Sequence, residues 1–179
     1  MGTPGILADV GRALADTLVG RKRRRYEHSV EIGAPQDIVW QMLKARDLAF
    51  DGPFPIRVLS QPVPGSPDLE RVSIEMGDRR LHLLTRIVEE RPGNAILYQL
   101  LPEGTDAALV EGDDDYVAFV LTEAGGRTRL DLTRETSPRN WLARLTVPMG
   151  LRTGGRRYKR KAEAMLREAL ERPPEPGPG

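Results

Sequence analysis

Histidine is the side chain best suited to acid–base chemistry near neutral pH, and this 179-residue chain has two. His28 belongs to a stretch in which apolar or aromatic residues alternate with Glu and Ser. This alternation predicts a half-buried strand, with His28 on its inner face beside Tyr26, Val30 and Ile32. An inward imidazole serves as a general acid or base, or as a hydrogen-bond partner of a ligand. The alternative, which the pattern favours, is a core histidine satisfied by a neighbour.

His82 lies four residues before Arg86 on another predicted strand, so the two side chains share a face. On a concave face they would hold the polar end of a ligand, and on a convex face they would be solvated. The alternate residues of this strand, from Leu81 to Ile87, form the more apolar face. We therefore expect His82 and Arg86 to be solvated.

Four aromatic residues, Tyr98, Tyr116, Trp141 and Tyr158, are best placed along the chain to line a pocket. Aromatic walls with a few hydroxyl groups are typical of small-molecule sites. Together with His28 they form the predicted set of ligand-binding residues. The alternative for each of them is ordinary core packing.

Carboxylates offer no convincing catalytic or metal site. The acidic cluster of Glu111, Asp113, Asp114 and Asp115 does not match a calcium-binding EF-hand loop, so we expect a solvated loop. Adjacent strand residues such as Glu89 and Glu90 point to opposite faces and cannot act together on one substrate.

The absence of cysteine excludes disulfides, thiolate metal sites and a cysteine nucleophile. We assign no catalytic residue, no metal and no cofactor.

Short strands separated by Gly-rich turns must position these residues. Beyond Tyr26–Ile32, the pattern predicts a helix beginning at Pro35 and an edge strand at Ile56–Leu59 in a Pro-rich stretch. Five more strands follow between residues 71 and 135, and turns such as Gly77-Asp78 and Gly125-Gly126 connect some of them. The order predicts an α+β domain with an antiparallel sheet.

The C-terminal part changes to helical periodicity. Ser137-Pro138 favours a helix start, and we expect Pro148 and Gly150 to interrupt that helix. The clearest helix spans 156–171, where apolar residues recur on one stripe. Residues 172–179 are rich in Pro and Gly, and we expect a disordered tail.

Residues 1–24 stand apart from this pattern. Residues 6–19 predict a short amphipathic helix, and a basic run of Arg21, Lys22, Arg23, Arg24 and Arg25 follows it. An apolar stripe beside basic residues is suited to an anionic membrane surface. The alternative, which we prefer, is a helix docked on the domain or on a second copy of the chain, with solvated arginines.

A net charge of +1 predicts no nucleic-acid partner. Without a signal-peptide pattern or a membrane-spanning stretch, we expect a cytoplasmic protein, with membrane-peripheral association as an alternative.

The segment Tyr26–Trp40 combines an opening strand, an Ala-Pro pair and a Val-Trp helix. It resembles the START-like helix-grip superfamily, also called SRPBCC, which includes polyketide cyclase/dehydrase-like proteins. Ile87–Gly93 and Gly126–Leu130 are similar to two hairpins of that superfamily. The resemblance covers about residues 25–171. It implies a seven-stranded antiparallel sheet curved around a long C-terminal helix, with short helices after the first strand and a deep cavity between sheet and helix.

The resemblance also implies a function class without implying any catalytic residue. Such proteins commonly bind lipids, polyketides, sterols or other hydrophobic molecules, and only some are enzymes. We therefore expect binding of a hydrophobic or amphipathic small molecule in the cavity. A cyclase/dehydratase-type enzyme using a cavity His or Tyr is a second hypothesis. A membrane-peripheral protein acting through residues 1–25 is the third.

Overall fold

The computed structural model describes residues 24–102, 105–106, 115–137 and 141–171, with only the backbone of residues 141–143. Three sequence predictions fall outside these ranges: the N-terminal amphipathic helix, most of the acidic cluster and the C-terminal tail. The basic run is described only at Arg24 and Arg25, where strand β1 begins.

The described part contains an antiparallel sheet of eight strands and two helices. The strands are β1 Arg24–Ile32, β2 Asp47–Phe50, β3 Ile56–Val63, β4 Ser66–Met76, β5 Arg79–Arg91, β6 Ala95–Leu101, β7 Asp115–Ala124 and β8 Arg127–Thr136. Their order across the sheet is β1-β8-β7-β6-β5-β4-β3-β2. Helix α1 spans Gln36–Leu43, and helix α2 spans Trp141–Glu171. The predicted α+β class and long C-terminal helix are therefore confirmed.

The sheet has one strand more than the seven that the resemblance implied. Strand β2 has four residues, of which Leu48 and Phe50 are buried, and it pairs only with β3. The prediction that Ile56–Leu59 forms an edge strand is therefore wrong, because β2 occupies that edge. Pro62 is tolerated in β3 because backbone hydrogen bonding on the β2 side ends at Ser60, whose N–H donates to the carbonyl of Arg46, and no described strand pairs with β3 on that side beyond it.

Tight turns set the register of the hairpins as expected. Met76 pairs with Arg79 across Gly77-Asp78, and Ala124 pairs with Arg127 across Gly125-Gly126. Gly125 and Gly126 both have positive φ, +59° and +76°, which is the backbone of a two-residue hairpin turn. Glycine adopts that conformation without the steric cost of a Cβ atom.

Helix α2 is one continuous helix of 31 residues, so the predicted interruption at Pro148 and Gly150 is wrong. Pro148 removes the hydrogen bond to the carbonyl of Arg144. Both residues are exposed, so water can satisfy that carbonyl. On the inner side the helix is held by packing, because Val147 is buried and Leu151 is partly buried. Packing here outweighs the local preference for a break.

The C-terminal half of α2 packs in the main hydrophobic core. Ala162 is fully buried there, together with Ile32, Val39, Met42 and Leu130. Helix α1 supplies Val39 and Met42 from a single face, as its 3.6-residue period requires. This end of the domain is thus tightly packed.

Helix α2 packs tightly against the sheet at Gly155. A Cβ atom on Gly155 would lie 2.7 Å from Cδ2 of His28 and 3.4 Å from Cδ1 of Leu132. A side chain at this position would force the His28 ring to move. Toward its N-terminus, from Gly154 back to Thr146, the helix borders a cavity instead.

Relative to Gly150→Ala, we expect Gly155→Ala to destabilise the protein by about 1–3 kcal/mol, because the methyl group forces the His28 ring aside. Gly150→Ala is the matched control, since nothing lies within 4 Å of a Cβ there. It should stabilise the helix by about 0.5–1 kcal/mol. Urea unfolding of both variants measures the difference.

The same Gly155→Ala change in a His28→Ala background should recover stability, because the clash is gone. Equal losses in both backgrounds would mean that the His28 contact does not limit the approach of the helix.

Candidate functional site

A cavity lies between the inner face of the sheet and the N-terminal half of α2. It has two chambers, of about 260 Å³ and about 390 Å³. Both are bordered by Ile74, Leu83, Leu100, Val117, Phe119 and Tyr158. The smaller one, here called the sheet chamber, extends toward Val58, Val72 and Ile96. The larger one, the helix chamber, extends under Val147 and Leu151 of α2.

Strand periodicity explains why the cavity wall is apolar. On β7 the odd-numbered residues Val117 and Phe119 border the cavity, while the even-numbered residues Ala118 and Val120 lie on the outer face. The same alternation on β5 turns Leu83 inward. The inner face is therefore a nearly continuous aliphatic and aromatic surface, of the kind that holds apolar ligands.

A row of aromatic rings crosses the cavity. Tyr158 of α2 makes edge-to-face contacts with Phe50 of β2, at 5.5 Å between ring centroids, and with Phe119 of β7, at 5.7 Å. Phe119 in turn contacts Tyr98 of β6 at 6.2 Å. Such contacts add to the free energy gained by burial. The row links helix α2 to strands β2, β7 and β6, and its rings Phe119 and Tyr158 border both chambers.

Polar groups of the sheet chamber gather at strands β3 to β6. The Ser60 hydroxyl donates to Oε2 of Glu70 at 3.1 Å. The Thr85 hydroxyl donates to the backbone carbonyl of Glu70 at 3.3 Å. Tyr98 also lines this chamber. An otherwise apolar chamber thus has one carboxylate and three hydroxyl groups on a single side.

The helix chamber has an ion pair at its wall. Arg134 of β8 lines the chamber, and its Nε lies 2.8 Å from Oδ1 of Asp115. A second contact joins Nη2 to Oδ2, so the pairing is bidentate. Asp115 is completely buried, and Arg134 is mostly buried. Asp115 was predicted to lie in a solvated loop, and that prediction is wrong for this residue because β7 begins there.

Burial raises the pKa of the two cavity tyrosines. It raises the pKa of Tyr158 to about 12. It also raises the pKa of Tyr98 far above the ordinary tyrosine value, with smaller contributions from the charges of Glu70 and Glu90. At neutral pH both phenols are hydroxyl groups that can donate or accept a hydrogen bond.

The predicted ligand-binding residues do not all meet at this cavity. Tyr98 and Tyr158 line it. Tyr116 clusters with Leu97 and Ala118 on the outer face of the sheet, one residue out of phase with Val117. Trp141 begins α2, but its side chain is outside the described part of the structure.

His28 faces inward as expected, yet it contacts Gly155 rather than the cavity. It borders neither chamber.

The other four polar residues considered in the sequence are two side chains of β5 predicted to be solvated, and two neighbouring glutamates predicted to point to opposite faces. His82 and Arg86 are exposed, as expected. Glu89 pairs with Arg91, whereas Glu90 pairs with Lys44 just beyond α1, so the two carboxylates point in different directions.

Sequence analysis missed Phe119, Glu70 and Arg134. Phe119 had a detectable signal, since it alternates with Leu121 in a strand. Glu70 and Arg134 resemble ordinary strand-surface charges, and nothing local separates them from solvated residues.

No protein-family model and no curated protein matches this sequence. Solved structures do match its fold. A protein from Staphylococcus epidermidis is 17% identical, with a TM-score of 0.61 over 86% of this chain and 96% of its own. Protein CV1439 from Chromobacterium violaceum is 16% identical, with a TM-score of 0.57 over 79% and 96%.

A third match is Ara h 8.0201, a Bet v 1-like helix-grip protein. It is 10% identical, with a TM-score of 0.56 over 81% of this chain and 99% of its own. The fold is a helix-grip. At these identities the likeness extends to the fold alone, and the polyketide cyclase/dehydrase-like affinity stays a prediction. In the described part of the chain, no helix is long and apolar enough to cross a membrane.

The Tyr158 pKa predicts a loss of stability at alkaline pH. Because the folded-state pKa is raised from 10.0 to about 12, this contribution is complete below pH 10 and is lost as pH rises through 12. We expect the loss to reach roughly 2 kcal/mol. Tyr158→Phe should be less sensitive over this range, and urea unfolding at each pH measures it. Identical alkaline losses in both proteins would contradict the burial of the phenol.

Proposed function

We propose that this protein binds a hydrophobic or amphipathic small molecule in the cavity between its sheet and helix α2. The observation that carries the proposal is the apolar two-chamber cavity, whose volumes of about 260 Å³ and 390 Å³ are each far larger than one water molecule. Pockets that bind small molecules are concave, mostly apolar and equipped with a few polar groups. The cavity has all three properties.

Apolar surface accounts for the expected affinity. Moving an apolar ligand from water into the cavity gains about 25 cal/mol per Å² of apolar surface removed from water. Val117, Phe119 and Tyr158 border both chambers, so a ligand that extends from one chamber to the other would contact all three. Because the wall is built on strands and a helix, little ordering is needed on binding.

The site supports binding better than catalysis. His28, the first candidate for acid–base chemistry, borders neither chamber, and His82 is exposed. The cavity tyrosines Tyr98 and Tyr158 are neutral phenols, which cannot act as bases near neutral pH. The cyclase/dehydratase alternative therefore has no base among the residues that first suggested it.

Filling the cavity should abolish binding. In Val117→Trp the larger side chain occupies space next to both chambers, so we expect affinity for the neutral dye Nile red to fall by about tenfold or more. Val88→Trp is the matched control, because Val88 is 49% exposed. Fluorescence titration measures both variants, and urea unfolding verifies that each is folded. Equal dye affinity in the two variants would contradict binding in the cavity.

Native mass spectrometry of the purified chain, after incubation with a lipid extract, tests the ligand itself. We expect a bound apolar species on the natural protein and on Val88→Trp, and less of it on Val117→Trp. A bound species retained equally by all three proteins would contradict this site.

A second candidate function, membrane-peripheral association, is supported by the outer face of α2. Leu145 and Met149 are 55% and 68% exposed there. Three exposed arginines continue the same helical face: Arg152, Arg156 and Arg160. Apolar residues beside a basic stripe suit an anionic bilayer, where each basic residue contributes about 1 kcal/mol. The inner side of the same helical turns borders the helix chamber.

Co-sedimentation with vesicles containing phosphatidylserine tests this candidate. Replacing Arg152, Arg156 and Arg160 with Gln should weaken binding by about 1 kcal/mol per residue. Replacing the exposed Arg71, Arg79 and Arg127 with Gln is the charge-matched control. Deleting residues 1–23 tests the predicted basic run separately. If the stripe variant and the charge-matched control bind equally, α2 has no role in docking.

A further inference from the structure

The carboxylate of Glu70 is the one acidic group that borders either chamber in the described part of the chain. Glu70 lies on β4, opposite Thr85 of β5, and its side chain is partly buried. The Ser60 hydroxyl donates to Oε2 at 3.1 Å. The apolar residues Val72 and Ile74 follow on the same strand face.

No cation compensates this carboxylate among the described residues. In residues 24–102, 105–106, 115–137 and 144–171, no Lys, Arg or His side-chain nitrogen forms a salt bridge with Glu70. Lys44 pairs with Glu90 at 3.0 Å, and Arg86, which follows Thr85 on β5, pairs with Asp68 at 3.4 Å. The other charged side chain bordering the cavity, Arg134, is paired with Asp115.

A carboxylate accepts about four hydrogen bonds, and Ser60 provides one donor for Glu70. Desolvating a carboxylate is costly unless it receives donors or a counter-charge. A ligand that displaced water from this chamber would therefore be penalised at Glu70 unless it brought a donor. Thr85 does not donate to the Glu70 carboxylate, because its hydroxyl donates to the backbone carbonyl of Glu70 instead.

The negative charge of Glu70 restricts which ligand head groups the sheet chamber can accept. Tyr98 is on the same side of the chamber as Glu70. The negative charge of Glu70 contributes to the raised pKa of the Tyr98 hydroxyl. An anionic head group placed there would be repelled, whereas an ammonium group would be attracted and a hydroxyl group would be accepted. This differs from the helix chamber, where Arg134 and Asp115 present a neutralised pair.

We propose that the ligand is an amphiphile with a hydroxyl or ammonium head group, received by Glu70 in the sheet chamber. This inference rests on the proposed function, since it assigns the polar end of the same ligand. The apolar body extends from Glu70 past Val117 and Phe119, which border both chambers. The head group donates to the Glu70 carboxylate and accepts from the Tyr98 hydroxyl when it has a lone pair.

Matched ten-carbon probes test the proposal: decylamine, decanol and decanoate, each displacing Nile red below its aggregation concentration. Hydrogen bonds to charged groups are worth more than neutral ones. We therefore expect Glu70→Gln to lower decylamine affinity by about tenfold. Decanol affinity should fall less, and decanoate affinity should stay the same or rise.

Glu123→Gln is the control, because Glu123 is exposed near the β7–β8 turn and the change in charge is identical. Glu70→Leu gives a second variant, which suits the apolar chamber and should show the same loss for decylamine. Because decanoate has Arg134 as an alternative partner, the informative quantity is the ratio of affinities between each variant and the natural protein.

The outcomes distinguish the role of Glu70 from ligand binding in the cavity as a whole. Unchanged decylamine affinity in Glu70→Gln and Glu70→Leu, with Nile red still bound, would overturn the role of Glu70 and leave the cavity function intact. Failure of Nile red to bind the natural protein would overturn the proposed function, and this inference with it. A decylamine loss equal in Glu123→Gln would show a long-range charge effect and would also reject the assignment.

Discussion

The contact between Gly155 and the ring of His28 is the constraint on which the cavity depends. There the backbone of α2 lies so close to the His28 ring that an added Cβ atom would clash with it. On the C-terminal side of this point, Ala162 is fully buried in the main core. On the N-terminal side, from Gly154 back to Thr146, the helix borders the helix chamber. One helix therefore stabilises the fold with one half and encloses a cavity with the other.

The two chambers of the cavity contain different polar groups, and this difference favours one orientation of a bound ligand. The sheet chamber presents the Glu70 carboxylate, for which the described residues provide a hydroxyl donor and no cation. At the helix chamber, Arg134 and Asp115 compensate each other in a buried pair, which is costly to break but selects weakly for ligand charge. A head group that donates hydrogen bonds is thus better accommodated at Glu70.

Sequence periodicity predicted the elements well and the site only in part. Alternation placed His28 on the inner face, and the structure agrees, but Gly155 of α2 occupies the position where a ligand was expected. Tyr116 is one residue out of phase with Val117 and Phe119 and so lies on the outer face. Pro148 was expected to break a helix that packing holds together, because local preference is weaker than the burial of Val147.

By itself the sequence determined the period of most elements, the tight hairpin turns and the α+β order, because these depend on backbone conformation and near neighbours. It also separated the two faces of the strands that it predicted, whereas strand β2 was missed. Only the tertiary structure decided which face encloses the cavity and which charges reach it, since that depends on sheet curvature and on where α2 crosses. Glu70 illustrates the difference: in the sequence it is one strand carboxylate among many, and the crossing of α2 makes it the acid of a chamber.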